Sequence, residues 1–372
     1  MTHAAFTHKF IRIFAAISLF ITFCLLLSPI ARAENDGDCV YALYTEEGGY
    51  LTSRAGEMFV GDEYISRDDL FYRIVQVDHQ NRSAEARCLG SAVQDDGAAA
   101  VFRAFAEKAE NADESRLICM YSTHSDESYV PDDGASSKWK DAGIYDVGNA
   151  LKQSLEKRGI KTVYSDETFL PHDAGAYRRS RSTAEELLKK QPDALFDVHR
   201  DAISADQYET TVDGEEASKI RLFVGRSNPN FAYNKAFAQQ IKAAADEKYP
   251  DLIKDIYIGK GNYNQELSGN ALLLEMGTHE IDKEKAMRST EYLADVVETV
   301  LYGGSAKAAE QETRKTRAAS AGIFIAIGAA VLGAVVYALA ATGKLSGMRE
   351  KLRRGVSEIT GGLAGKRPGG KE

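Results

Sequence analysis

From Arg116 to Tyr302 the chain alternates short apolar runs with stretches of helical periodicity, and this alternation limits the fold more than any other feature. Leu117-Ile118-Cys119-Met120-Tyr121, Lys161-Thr162-Val163-Tyr164, Ala194-Leu195-Phe196-Asp197-Val198, Ile220-Arg221-Leu222-Phe223-Val224-Gly225 and residues 271–276 read as strands. Ile144, Val147, Leu151 and Leu155 recur at helical spacing, and Gly159 stops that helix. Further helices are expected near 181–190, 231–248 and 284–301. Strands alternating with helices predict an α/β domain over 115–302, a largely parallel sheet with helices on both faces. Its length of about 185 residues suffices for one core.

The segment before it has another texture. Residues 34–97 hold Val40-Tyr41-Ala42-Leu43-Tyr44 and Phe71-Tyr72-Arg73-Ile74-Val75-Gln76-Val77, which alternate apolar and polar positions, with turns at Gly48-Gly49, Gly56 and Gly61. A small β-rich domain, barrel or sandwich, is expected, serving as a spacer or binding module. The Ala-rich stretch 98–114 reads as a helical linker and 303–317 as a polar tether.

Both termini carry apolar runs. Residues 1–33 place Lys9 and Arg12 before an apolar stretch and end in Ala31-Arg32-Ala33, the order of a secretory signal peptide. Ala318 to Gly343 contains no charge and is long enough for a transmembrane helix, which needs about 20 apolar residues. More basic residues follow it than precede it, so 344–372 is expected as a basic cytoplasmic tail. These readings predict a single-pass protein of the cell membrane, with an extracytoplasmic catalytic domain and a cytoplasmic C-terminus. The net charge is −9; residues 1–33 hold three bases and no acid, and 321–372 eight bases against three acids, which leaves −17 on 34–320. So acidic a body makes nucleic acid a poor partner, while the basic tail suits anionic lipid of the cytoplasmic membrane. Cys39 and Cys88 bracket one segment and are candidates for a disulfide in an oxidising compartment; Cys119 reads as a buried small hydrophobe.

Ligands of an open parallel sheet gather beyond the carboxyl ends of its strands. There the chain places Ser122-Thr123-His124-Ser125-Asp126-Glu127, then His199-Arg200-Asp201, then Glu275. Two imidazoles and a carboxylate (His124, Glu127, His199) suit a catalytic zinc with one position left open. Glu275 lies in Leu272-Leu273-Leu274-Glu275-Met276-Gly277, where an ionised carboxylate is costly without a partner, which favours a functional role as general base. Each residue alone has a plainer reading: His124 as a loop histidine, His199 as a satisfied core histidine, Asp197, Arg200 and Asp201 as a salt-bridged cluster. His172 and His279 lie in polar surroundings and read as surface.

Five ordered motifs carry a family resemblance: Tyr121-Ser122-Thr123-His124-Ser125-Asp126-Glu127-Ser128-Tyr129, Gly175-Ala176-Tyr177-Arg178-Arg179-Ser180-Arg181, Asp197-Val198-His199-Arg200-Asp201-Ala202, Tyr263-Asn264-Gln265 and Leu274-Glu275-Met276-Gly277. Over about 115–302 the chain resembles the catalytic domain of the stage II sporulation protein P family, peptidoglycan hydrolases of endospore-forming Firmicutes related to zinc-dependent N-acetylmuramoyl-L-alanine amidases. The resemblance implies a zinc amidase-like fold and cleavage between the lactyl group of muramic acid and the first L-alanine, with endopeptidase activity also credited to members. It implies a lytic transglycosylase partner during engulfment. By the same resemblance His124, Glu127 and His199 are zinc ligands and Glu275 is the general base, while Arg200, Asn264 and Gln265 face substrate. The chain departs from the family at Ser122, where relatives usually carry a histidine.

Two rival readings use the same residues. A zinc carboxypeptidase or endopeptidase acting on stem peptides needs a cation for a free carboxylate, which Arg200 or Arg221 could supply. A degenerate wall-binding module needs no catalysis at all.

Overall fold

The structure, a computed structural model, describes residues 39–92 and 116–303. The first segment forms β1 (Val40–Thr45), β2 (Tyr50–Ala55), β3 (Glu63–Ile65), β4 (Leu70–Asp78) and β5 (Ser83–Ser91). The second opens with β6 (Leu117–Tyr121), followed by the short α1 (Val130–Asp133), α2 (Gly143–Lys157), β7 (Lys161–Tyr164), α3 (Ala176–Leu188) and β8 (Ala194–Asp201). A hairpin of β9 (Glu209–Val212) and β10 (Glu215–Ser218) precedes β11 (Ile220–Gly225), α4 (Phe231–Lys248), β12 (Ile253–Gly259), β13 (Ala271–Thr278) and α5 (Lys283–Tyr302).

The expected helices form where the apolar spacing put them. In α2 the stripe Ile144, Val147, Leu151 and Leu155 is buried, and Gly159, at φ +75°, takes the left-handed turn that ends the helix. The helix expected near 181–190 begins earlier, at Ala176.

One sheet of eleven strands, in the order β2-β1-β5-β4-β3-β12-β11-β13-β8-β6-β7, replaces the expected pair of a largely parallel sheet and a separate small β-rich domain. The block β7-β6-β8-β13 is parallel, but β11 runs antiparallel to β13, and β3 joins β12 antiparallel through Ile65↔Ile256 and Tyr64↔Tyr257. Strand β12 offers a free edge, and the wholly buried Glu63-Tyr64-Ile65 closes it, which spares the sheet an exposed row of unpaired backbone groups. Cys39, Cys88 and Cys119 are free thiols, so no disulfide staples these strands.

The two faces of the sheet have different covers. Ile118, Met120, Phe196, Val198, Leu222, Val224, Leu272 and Leu274 pack into one core with α2, α4 and α5. On the opposite face Leu117, Cys119 and Leu195 meet Ala184 and Leu187 of α3. Phe223, Tyr257 and Leu273 meet Tyr41, Leu43, Tyr64 and Ile74 of the N-terminal strands. Strands buried on both sides read as continuous apolar runs, and their period of two decides which residues share a face.

The expected membrane span over 318–343 is not supported. No helix among the described residues is long and apolar enough to cross a membrane. The single-pass topology expected from that span, and the membrane location it implied, are not supported either. Residues 1–33, 98–114, 318–343 and 344–372, on which the signal peptide, helical linker, span and tail were expected, lie outside the described residues.

Candidate metal centre

Period two along β8 sends Asp197, His199 and Asp201 to one face of the sheet, the face covered by α3 and the N-terminal strands. In the neighbouring β13, Glu275 sits opposite His199 across the parallel register, and Arg221 of β11 sits opposite Glu275 on its other side. The loop after β6 brings His124 and Glu127 to the same place. His124 Nδ1 lies 3.2 Å and His199 Nδ1 3.3 Å from Glu127 Oε1. One ligand atom from each of the three lies within 4.8 Å of the others, a set that could hold a metal ion. Four-coordinate metals bind such nitrogens and oxygens at about 2.0–2.1 Å, which puts adjacent donors of a tetrahedron about 3.3 Å apart; both imidazole–carboxylate distances fit that spacing.

Two of the three donors, His199 and Glu127, are held from behind. Asp197 Oδ1 lies 2.9 Å from His199 Nε2 and accepts the Thr123 N–H at 2.8 Å, while its Oδ2 accepts the Thr123 hydroxyl at 2.7 Å. The second oxygen of Glu127 accepts the Arg200 N–H at 2.8 Å. A carboxylate behind a ligating imidazole fixes ring orientation and raises basicity.

The electrostatics follow from this crowding. Burial raises the Glu127 pKa, but His199, His124 and Arg200 outweigh it and hold the carboxyl well below the usual range. Burial lowers that of His199, yet Asp197 and Glu127 overcome it and keep the imidazole well above its ordinary value. Glu275 goes the other way: burial first, then Asp201 and Glu127, push it up to about 8 against the pull of His199 and Arg221. Its Oε2 has no hydrogen-bond partner among the described residues.

Sequence reasoning brought His124, Glu127, His199 and Glu275 together, and the structure does the same. Arg200, Asn264 and Gln265, expected to face substrate, are buried and bonded within the protein. Arg200 Nη2 donates to Ser136 O at 2.8 Å. Asn264 Nδ2 donates to Tyr177 O at 3.0 Å and Ser180 Oγ at 3.1 Å. Gln265 bridges the backbone of Gly225 and Phe223. Tyr263 and Asn264 both have positive φ, and a Cβ on Gly261 would sit 2.6 Å from Tyr263 Cζ, so this glycine is what lets the Tyr263 ring fold back onto its own loop. Arg221 is buried between Asp201 and Asp255.

Two residues at the site were not anticipated. His172, expected at the surface, stacks on His124 with ring centroids 3.8 Å apart. Tyr177 lies parallel to the His199 ring at 6.3 Å and edge-on to His124 at 5.5 Å. The only signal in the sequence was that Tyr177 belongs to one of the quoted motifs. Ser122, in the position where a second histidine was expected, hydrogen-bonds Tyr164 Oη at 2.8 Å and none of the donors.

Residues 68–298 match the family described as Stage II sporulation protein P. A curated relative of that name from Bacillus subtilis (strain 168) is 27% identical over 222 residues, 54% of this chain and 55% of the relative. The chain thus spans about half the length of that relative. Among solved structures, an N-acetylmuramoyl-L-alanine amidase from Clostridium difficile 630 is 15% identical, with a TM-score of 0.33, covering 51% of this chain and 97% of its own. The apo form of the amidase Ami1 from Mycobacterium abscessus is also 15% identical, with a TM-score of 0.31, covering 50% and 97%.

Proposed function

The chain belongs to the stage II sporulation protein P family, and from that premise and the geometry of the site we propose that it is a zinc-dependent hydrolase of peptidoglycan, cleaving the amide between the lactyl group of muramic acid and L-alanine during sporulation. The observation that carries this reading is the convergence of His124, Glu127 and His199, with Glu275 beside His199 on the next strand.

In this mechanism His124, Glu127 and His199 would hold the metal, and Asp197 keeps the His199 ring turned with Nδ1 toward Glu127. When bound, the zinc supplies Lewis-acid polarisation of the scissile carbonyl. Glu275 takes a proton from the attacking water and passes it to the departing amine. Burial pushes this carboxyl up to about 8 in the metal-free chain, and a cation held beside it would draw it back down, toward the range where a group can both accept and return a proton. The aromatic ring of Tyr177 walls the site over His199. Family membership also supports work alongside a lytic transglycosylase while the septal wall is thinned.

The carboxypeptidase reading is less well supported. It needs a cation for a free carboxylate, and Arg200 and Arg221 are both buried and bonded to other groups.

Metal content and wall digestion test the proposal. The full chain is expected to carry about one zinc and to release new L-alanine amino termini from purified wall. Glu275→Gln is expected to keep the metal and lose about 10²–10⁴-fold in rate. Wall digestion that releases D-amino acids instead, or full activity in Glu275→Gln, would overturn it.

A further inference from the structure

The three donors differ in how firmly they are held. His199 sits in a strand with Asp197 behind it, and Glu127 is tied to the Arg200 backbone; their side chains are only 2% and 3% exposed. His124 stands on the loop past β6, is 14% exposed, and its ring nitrogen Nδ1 meets only Glu127 among the described residues. An imidazole on a loop loses side-chain entropy when it is fixed to a ligand, so a site that binds tightly needs something else to hold this ring.

The loop before α3 supplies it. His172 lies face to face with His124, centroids 3.8 Å apart and planes 27° from parallel. Its own Nδ1 is 2.9 Å from Asp126 Oδ1, and the other oxygen of Asp126 accepts the Ser137 hydroxyl at 2.5 Å. The loop is fastened at both sides: Phe169 N donates to Ser125 Oγ at 2.9 Å, and Arg179 donates to Phe169 O at 2.7 Å and to Asp173 at 2.7 Å. Ser125 and Asp126 immediately follow His124, so the stacked ring and the residue that holds it are anchored to the same turn.

We propose that His172, held by Asp126, is a positioning residue that sets the plane of the His124 ring and so prepares this donor for the metal. The inference rests on the metal reading above and adds a residue that acts through a ligand without itself being one. What matters in His172 is its flat face against His124, so a phenylalanine in its place keeps the function and an alanine does not.

The test is zinc affinity by chelator competition, with the melting temperature of the metal-free chain measured beside it. His172→Ala is expected to weaken zinc binding about 10–100-fold, with His172→Phe within about threefold of the wild type. Asp126→Asn, which leaves the ring in place with a weaker hold, falls between. The Co²⁺-substituted visible spectrum should broaden in His172→Ala and recover in His172→Phe. Wild-type affinity in His172→Ala overturns the proposal, as does His172→Phe weakened about 10-fold or more relative to the wild type, an outcome that decides the matter even if the alanine variant unfolds. A lower metal-free melting temperature with unchanged affinity would assign His172 a merely structural role. A wild-type chain that binds no zinc removes the metal reading as well, whereas tight wild-type binding that ignores His172 removes this inference alone.

Discussion

Asp197 Oδ1 lies 2.9 Å from His199 Nε2, and the opposite ring nitrogen, Nδ1, faces Glu127. The same carboxylate accepts two hydrogen bonds from Thr123, the residue before His124. One side chain therefore orients one histidine directly and the loop of the other through its backbone.

Asp197→Asn tests this double role. An asparagine keeps the size but loses the charge and one acceptor, so either the His199 contact or the Thr123 contact is lost. Zinc affinity is expected to fall about 10–100-fold, measured by chelator competition. An unchanged affinity would mean that Asp197 serves only to tie β8 to the loop.

The metal-free chain has a predictable response to pH. Burial pushes Glu275 up to about 8, and His199 is held well above its ordinary value despite burial, because Asp197 and Glu127 outweigh it. Both groups bind their protons more tightly folded than unfolded. Their contribution to stability is complete below the unfolded values, 4.5 for the glutamate and 6.5 for the histidine, and is lost as pH rises through the folded ones. The melting temperature of the chelated protein should therefore fall as pH rises from about 5 to about 8, and Glu275→Gln should flatten that fall. Zinc binding needs His199 without its bound proton, so zinc affinity should rise over the same range. A melting temperature that climbs with pH would contradict the assignment.

Arg221 makes a separate prediction, because it joins the site to the N-terminal strands. Its guanidinium is buried and donates to Asp201 Oδ2 at 2.9 Å, to Asp255 Oδ1 at 2.6 Å, and to Thr52 Oγ1 and Ser53 O at 2.7 and 2.9 Å. Arg221→Met strands two buried carboxylates, although Lys254 still reaches Asp255 at 2.8 Å. The expected cost is about 3–5 kcal/mol, read as a lower urea midpoint with an unchanged slope. A loss below about 1 kcal/mol would place water at this network, where surface ion pairs count for little.

How much of this was legible in the sequence depends on what kind of residue carried it. His199 and Glu275 stand in apolar strands, where a charged or polar group is an anomaly, and both were found. Period two then places each on one face of its own strand, and the register of β8 beside β13 makes that face a common one. His172 and Tyr177 come from a loop and a helix start, where nothing local says which way a ring will point. Strand β12 was missed because Lys254 and Asp255 interrupt its apolar run; Asp255 pairs with Lys254 and with Arg221 only after folding. The hairpin β9–β10 did carry a signal, Asp213-Gly214, both at positive φ as a two-residue turn requires. The joining of the two β segments was not legible, since an alternating strand looks the same whether it pairs within its own domain or with a distant edge.

Ser122 bears on the site through what it does not touch. The family resemblance read from the sequence implies a histidine there, and a serine in its place suggests an impaired metal centre when only the sequence is read. In the structure the Ser122 hydroxyl is 2.8 Å from Tyr164 Oη, and that phenol in turn reaches the Ile144 carbonyl at 3.5 Å, on the side of the strand packed against α2. His124, two residues on, is the histidine that meets Glu127 and stacks on His172. Ser122→Ala should therefore cost about 1 kcal/mol of stability for one lost hydrogen bond and leave zinc affinity and wall hydrolysis within about twofold. Ser122→His should cost more, about 1–3 kcal/mol, because the site is closed and an imidazole overfills it. If the histidine variant instead binds a second zinc or gains activity, position 122 belongs to the metal site after all, and the serine marks a chain that has lost part of its family's chemistry.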